Sequence, residues 1–152
     1  MTKQEALPVR LFLGLLAAVT LATQLVVIPK TAEGYARDYS ELAYLEPLYV
    51  TALAVALACF EAALLAAWQL LSTAVGDPAL TNRSVIWNNS MTFFLCSTAV
   101  ILAGVCVHAS LVAGVGGPAM LFGLLSAAVL VPAAFVLRNW VRSWFAHRVA
   151  AA

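Results

Sequence analysis

Charge is what this chain has least of. Only 10% of its residues are Asp, Glu, Lys or Arg, and 64% are hydrophobic. An average soluble domain is ~25% charged, so a water-solvated surface around a single core is excluded. The net charge of +1 gives no basic field, which excludes direct nucleic-acid binding. Cysteine is also scarce. Cys59, Cys96 and Cys106 are odd in number, lie in apolar runs and make no CxxC. That excludes a disulfide framework and a structural zinc site and leaves small apolar packing residues. Enzyme motifs are missing too: no GxSxG, no Walker A and no dinucleotide fingerprint occur. The glycine-rich stretch 114–117 leads into an apolar run without Lys and reads as a hairpin turn. No Ser/His/acid set assembles. The expectation is a protein that is not an enzyme, with no catalytic residue, no metal and no cofactor.

What the chain does have is long apolar runs. Four of them, at about 7–28, 48–71, 91–115 and 119–137, reach the ~20 residues that a helix needs to cross a bilayer. The 152 residues leave no room for a separate soluble domain, and no repeat or linker divides them. The expected fold is therefore all-α: one transmembrane domain over 1–152, an integral four-helix bundle with short interfacial helices.

Local signals set expected boundaries. Pro29 and Lys30 end the first helix at the far interface. The loop 29–47 carries Glu33, Asp38, Glu41 and Glu46 against Lys30 and Arg37, with Tyr35, Tyr39 and Tyr44 suited to the headgroup level. The stretch 40–45 makes one helical turn with Ser40 as N-cap, and Pro47 opens the second span. Gly76-Asp77-Pro78 marks a turn, and Ser84 caps the third helix. Asn82-Arg83-Ser84 and Asn88-Asn89-Ser90 match the short glycosylation pattern. Pro132 interrupts the fourth span, and Trp140 and Trp144, one turn apart, begin a short interfacial helix.

Lys3, Arg10, Arg83, Arg138, Arg142 and Arg148 fall on one side of a four-span topology, and Lys30 and Arg37 on the other. Six against two place both termini in the cytoplasm. Localisation in a bacterial cytoplasmic membrane, as a multi-pass protein, is the matching expectation.

One buried acid stands out. Glu61 lies near the middle of the second run, where a carboxylate costs at least ~2.5 kcal/mol on the mildest scale. It must face protein or water. Ala54, Ala58 and Trp68 share its face, and Ala54, Ala58, Ala62 and Ala66 form a small-xxx-small row that lets backbones approach. This helix is expected to be central, with the others laid against it. At ~1.5 Å per residue, Ser97, Thr98 and Ser126 fall within ~6 Å of Glu61's depth, and His108 sits ~10 Å further out, nearer Gln24. Glu61, Ser97, Thr98, Ser126, His108 and Gln24 thus form a candidate intramembrane polar site. Two readings stand: a proton or cation site, or a hydrogen-bonded carboxyl that fixes helix register. His108 alone reads as a hydrogen-bonded interior residue, because no HxxE or HxxxH accompanies it.

The cytoplasmic face offers a second candidate. Arg83 and Trp87 on one segment and Trp140, Arg142 and Trp144 on another combine aromatics with Arg, the residue types that carry binding energy at protein interfaces. Interfacial anchoring explains Trp at such positions equally well.

Tyr39-Ser40-Glu41-Leu42-Ala43-Tyr44-Leu45-Glu46-Pro47 resembles the outer-loop signature of a bacterial membrane family known as domain of unknown function 2975. Trp68-Gln69-Leu70-Leu71, followed by a turn and Leu80 to Ser84, resembles that family's second-helix exit and the loop after it. The chain departs from the family's common pattern with Ser40 in place of Pro and Leu80 in place of Phe. The resemblance implies a four-helix membrane protein without an established activity. It also implies a genomic neighbourhood with small helix-turn-helix regulators. Two functions stay open: a membrane tether for such a soluble regulator, or a small transporter or proton-coupled sensor using Glu61. The partners implied are the lipid bilayer and a helix-turn-helix regulator, and the oligomeric state is not implied.

Overall fold

The computed structural model describes residues 3–38, 40–76, 82–112, 114 and 117–150. The expected turn at Asp77-Pro78, Leu80, Tyr39, and the side chains of Tyr35, His147 and Arg148 lie outside the described residues. Among the described residues five α-helices occur in order: α1 (Lys3–Ala22), α2 (Ile28–Asp38), α3 (Glu46–Gly76), α4 (Asn82–Leu111) and α5 (Pro118–Ala150). A π-helical segment, Thr23–Val27, joins α1 to α2, and a 3-10 turn, Ser40–Leu45, leads into α3. Among the described residues four stretches are long and apolar enough to cross a membrane: Ala6–Asp38, Ala43–Val75, Asn82–Leu111 and Pro118–Ala146.

Side-chain contacts fix the register. Arg10 meets Ser72 and Gln24 meets Ala54, so α1 and α3 run antiparallel. Thr98 bonds the Ala56 carbonyl and Tyr49 bonds His108, which sets α4 antiparallel to α3. Asn88 bonds the Arg138 carbonyl, and Gly123 faces Cys106, which sets α5 antiparallel to α4. Lys3, Gly76, Asn82 and Ala150 therefore share one end, called here the terminal end. Asp38, Glu46, Leu111 and Pro118 share the other, the loop end.

The helices outrun the expected spans, for definable reasons. Pro29 does not end the first helix. It lacks the N–H that would bond the Leu25 carbonyl, and its ring crowds that carbonyl. The preceding π-turn widens the helix and relieves the conflict: Ile28 N–H bonds Thr23 O, five residues back. Helix then continues to Asp38. There Arg37 and Glu33 form an exposed i,i+4 ion pair at 3.9 Å, which contributes little. Ser84 is no cap. It is buried at the third position of α4, which begins at Asn82. The segment bearing Trp140 and Trp144 is continuous with α5, which carries Pro132 internally. Pro47 sits in the first turn of α3 as expected, and Gly114, at φ +65°, supplies the left-handed residue of the α4–α5 turn.

The central element is α4 rather than α3. It is packed between α3 and α5, as α3 is packed between α1 and α4. Of the two, α4 is the more buried, and α5 rests on α4 and not on α3, as a single central α3 requires. On α3 the seam toward α4 is Ala56, Phe60, Ala63, Ala67, Leu70 and Ala74, alternating four and three residues apart. Ala63 of that seam, with Ala66 beside it, clusters with Met91 and Leu95 of α4, so of the expected small row only Ala66 is in the core. The expected small row is not that seam, since Ala58 is exposed. Alternation of four and three keeps one face toward a neighbour, while a strict step of four drifts around the helix. Outward residues such as Leu11, Phe12, Leu15, Val100, Phe122 and Val129 are more than half exposed. An apolar perimeter of this extent suits lipid and not water.

Candidate functional site

Two polar clusters interrupt the apolar packing. The first lies in the α1–α3 seam. Ala54, Glu61, Trp68 and Ser72 follow one another by seven, seven and four residues, so they fall within about 40° of each other around α3. Gln24 Nε2 donates to the Ala54 carbonyl at 3.1 Å. Near the terminal end, Arg10 donates to Ser72 Oγ at 3.5 Å, and its guanidinium lies 5.8 Å from the Trp68 ring centre. Glu61 sits between them, about 10 Å along the axis from Ala54 and from Trp68. Glu61 Oε1, Gln24 Oε1 and Arg10 Nε are all buried without a hydrogen-bond partner in the protein. Thr20, 7% exposed, points its hydroxyl back to the Leu16 carbonyl.

The residues expected around Glu61 are not gathered there. Thr98 bonds the carbonyls of Ala56 and Phe94 in the α3–α4 seam. Ser97 bonds Phe93 O, and Ser126, exposed on α5, bonds Phe122 O. Matching depth does not fix direction: Glu61 is about 140° around α3 from Ala56, which meets α4. A hydroxyl in a helix also has its own i−4 carbonyl within reach. Gln24 does share Glu61's seam, on the α1 side. His108 pairs elsewhere, with its Nδ1 2.9 Å from Tyr49 Oη and the rings edge-to-face at 5.8 Å.

The second cluster ties α4 to α5 toward the terminal end. Asn88, 2% exposed, donates from Nδ2 to the Arg138 carbonyl at 3.1 Å. Its own carbonyl accepts from Thr92 Oγ1 at 2.9 Å. Arg142 donates to Asn89 Oδ1 at 3.1 Å. Trp87 Nε1, Asn88 Oδ1 and Arg138 Nε are buried without a protein partner. Trp87 does not belong to an outer surface, because its ring packs against both apolar clusters of the core. Trp144 is half-buried against Phe145 at 5.1 Å. Arg83, Ile86 and Trp140 remain exposed.

Sequence reasoning passed over Asn88, Arg10 and Tyr49. A signal for Asn88 was present: Ser84, Asn88 and Thr92 recur every four residues, a polar stripe that in an apolar helix marks an interhelical contact. Arg10 read only as a flanking charge, and nothing in the spacing pairs Tyr49 with His108. Among the described residues no three His, Cys, Asp or Glu gather into a metal-binding group.

Helices throughout the described residues, four stretches of them membrane-length and apolar, define a transmembrane helical protein. Residues 30–138 match the family described as "Protein of unknown function (DUF2975)". The match spans well over half of the chain, and the protein belongs to that family. No curated protein and no solved structure matches it.

Proposed function

We propose that the chain is a non-catalytic interaction protein of the bacterial cytoplasmic membrane, a tether that holds a small soluble regulator at the cytoplasmic face. The observation that carries this reading is the joined terminal end of α4 and α5. The 33 residues of α5 give a rod of about 50 Å, against a hydrocarbon core of ~30 Å. The excess projects from the membrane as a helical stalk. Asn88–Arg138 and Asn89–Arg142 hold the stalk together, and it presents Arg83 and Ile86 outward. A rigid surface with an Arg and an apolar anchor is what a protein partner can bind. The family resemblance supplies the kind of partner, a helix-turn-helix regulator. The excess of Lys and Arg on this side supports its placement in the cytoplasm.

The test is co-purification of a soluble regulator with wild type and with an Arg83→Ala, Ile86→Ala variant. Trp87 is left intact because it belongs to the core. Loss of the partner from a variant that still folds supports the tether. Equal retention, or none by either protein, rejects it.

A second reading, a small transporter or proton-coupled sensor, is favoured by the buried and unpartnered Glu61 Oε1. An intramembrane carboxyl marks a functional site by default. Proton or cation flux in liposomes that disappears with Glu61→Gln would support it. Unchanged flux, or none in wild type, would reject it.

A further inference from the structure

The α1–α3 seam brings three oxygen groups to one level. Gln24 Nε2 donates to the Ala54 carbonyl at 3.1 Å, and the amide's own Oε1 is buried without a partner in the protein. Glu61 Oε1 is buried in the same way. A helix carbonyl points toward the C-terminal end of its helix, and a side chain leans back toward the N-terminal end. Ala54 and Glu61 share one face of α3, about two turns apart, so the Ala54 carbonyl and the Glu61 carboxyl reach toward each other. The Gln24 amide is thereby held at the level of the carboxyl. Thr20 lies one turn before Gln24, and α1 runs antiparallel to α3, so that turn is on the Glu61 side. Thr20 is 7% exposed. Its hydroxyl donates to the Leu16 carbonyl, which keeps the oxygen lone pairs for another partner. We propose, resting on the reading of Glu61 as a functional carboxyl, that Glu61, Gln24 and Thr20 bind a monovalent alkali cation in exchange for the Glu61 proton.

Charge and ligand chemistry select the ion. An unpaired carboxylate in an apolar seam takes up a proton or a cation. The basic group on this seam, Arg10, is engaged with Ser72 and Trp68, about 16 Å along α3 from Glu61. Cys59 stands about 160° around α3 from Glu61, and α4 packs on a face about 140° away. Tyr49 and His108 are occupied with each other between α3 and α4. A proton would need one acceptor beside the carboxyl, whereas three oxygen groups from three residues make a coordination set. Oxygen ligands suit a hard cation. One carboxylate balances one charge, while calcium takes about 6–8 oxygens, several of them from carboxylates. Gln24 stands in the π-turn, a distortion that recurs at functional sites. In the exchange the Glu61 O–H bond breaks, the proton leaves to solvent and the carboxylate closes on the cation. The net charge of the site stays zero.

The experiment follows thermal unfolding of the full-length protein in detergent, at fixed ionic strength, in sodium, potassium or choline chloride. Sodium or potassium should raise the midpoint above that in choline, by an amount that grows with concentration. The cation concentration for half the effect should rise about tenfold for each unit of pH below the range where the carboxyl is ionised, since one proton is exchanged for one cation. Glu61→Gln mimics the neutral acid and should remove the difference between the salts. Thr20→Val removes one ligand oxygen and little volume. It should weaken cation binding by at least about tenfold, the loss that even an outer partner of a metal ligand causes. A measurement independent of the variants adds sodium chloride to weakly buffered wild type and reads the protons released, about one per chain.

Equal midpoints in the three salts overturn the proposal. So do a salt difference that persists in Glu61→Gln, and sodium addition without proton release. These readings need no gradient. Cation binding by a protein that passes no ions in liposomes rejects the transporter reading alone. Flux that disappears with Glu61→Gln, in a protein indifferent to the three salts, rejects the alkali-cation site alone.

Discussion

The side-chain amide of Asn88 on α4 donates to the backbone carbonyl of Arg138 on α5 at 3.1 Å, across fifty residues of chain. Among the described residues Asn88 is the largest side chain that is fully buried. In an apolar setting a severed hydrogen bond leaves the remaining polar group unsatisfied, at a cost of about 1–3 kcal/mol. Asn88→Ala should therefore destabilise the protein by about 1–2 kcal/mol, read as a lower midpoint in SDS-induced unfolding. Asn88→Asp should be worse, since an ionised carboxylate has no donor for the Arg138 carbonyl. A wild-type midpoint in both variants would show that the bond holds nothing.

Pro29 and the π-turn before it make a second pair that can be separated. Pro29→Ala restores an N–H and removes the ring that crowds the Leu25 carbonyl. The stretch Thr23–Val27 should then tighten to α-helix. Gln24 makes its contact with Ala54 from within the widened turn. A Gln24→Cys, Ala54→Cys pair should cross-link well in the wild-type background and poorly with Pro29→Ala. Undiminished cross-linking would show that the proline does not set this geometry.

Gly123 and Cys106 test the α4–α5 approach toward the loop end. A Cβ on Gly123 would lie 2.6 Å from Cys106 Sγ, closer than atoms pack. Gly123→Ala should cost about 1–3 kcal/mol through overpacking. Adding Cys106→Ala removes the sulfur and should recover most of the loss. Thermal unfolding of the two single variants and the double variant gives the coupling directly. Additive losses would place the strain elsewhere.

Orientation has its own test. A reporter active only outside the cytoplasm should work when fused after Arg37 and fail after Asp77 or Ala152. Activity at the C-terminal fusion with none at Arg37 would invert the topology and move the joined α4–α5 end to the outer face.

Composition alone determined that this is a membrane protein of four helices. The cause is simple: ~20 consecutive apolar residues leave a backbone in lipid no choice but to satisfy its own hydrogen bonds as helix. The tight turn at 114–118 forces the third and fourth helices to be antiparallel neighbours. The same reading placed one carboxyl inside the membrane, because Glu61 has apolar sequence on both sides. Direction is what the sequence left open. The hydrophobic stripes that reveal facing in a soluble helix vanish when the outside is as apolar as the inside. The Ala54–Ala66 row was thus indistinguishable from the seam that runs through Ala56, Ala63 and Ala74. Only tertiary packing turned Glu61 toward α1 instead of toward Ser97, Thr98 and Ser126. Packing also drew Trp87 into the core, and laid α5 on α4 instead of on α3. Helix ends were equally out of reach, because a proline within a helix does not by itself end it: Thr23–Val27 widens ahead of Pro29 and the helix continues to Asp38.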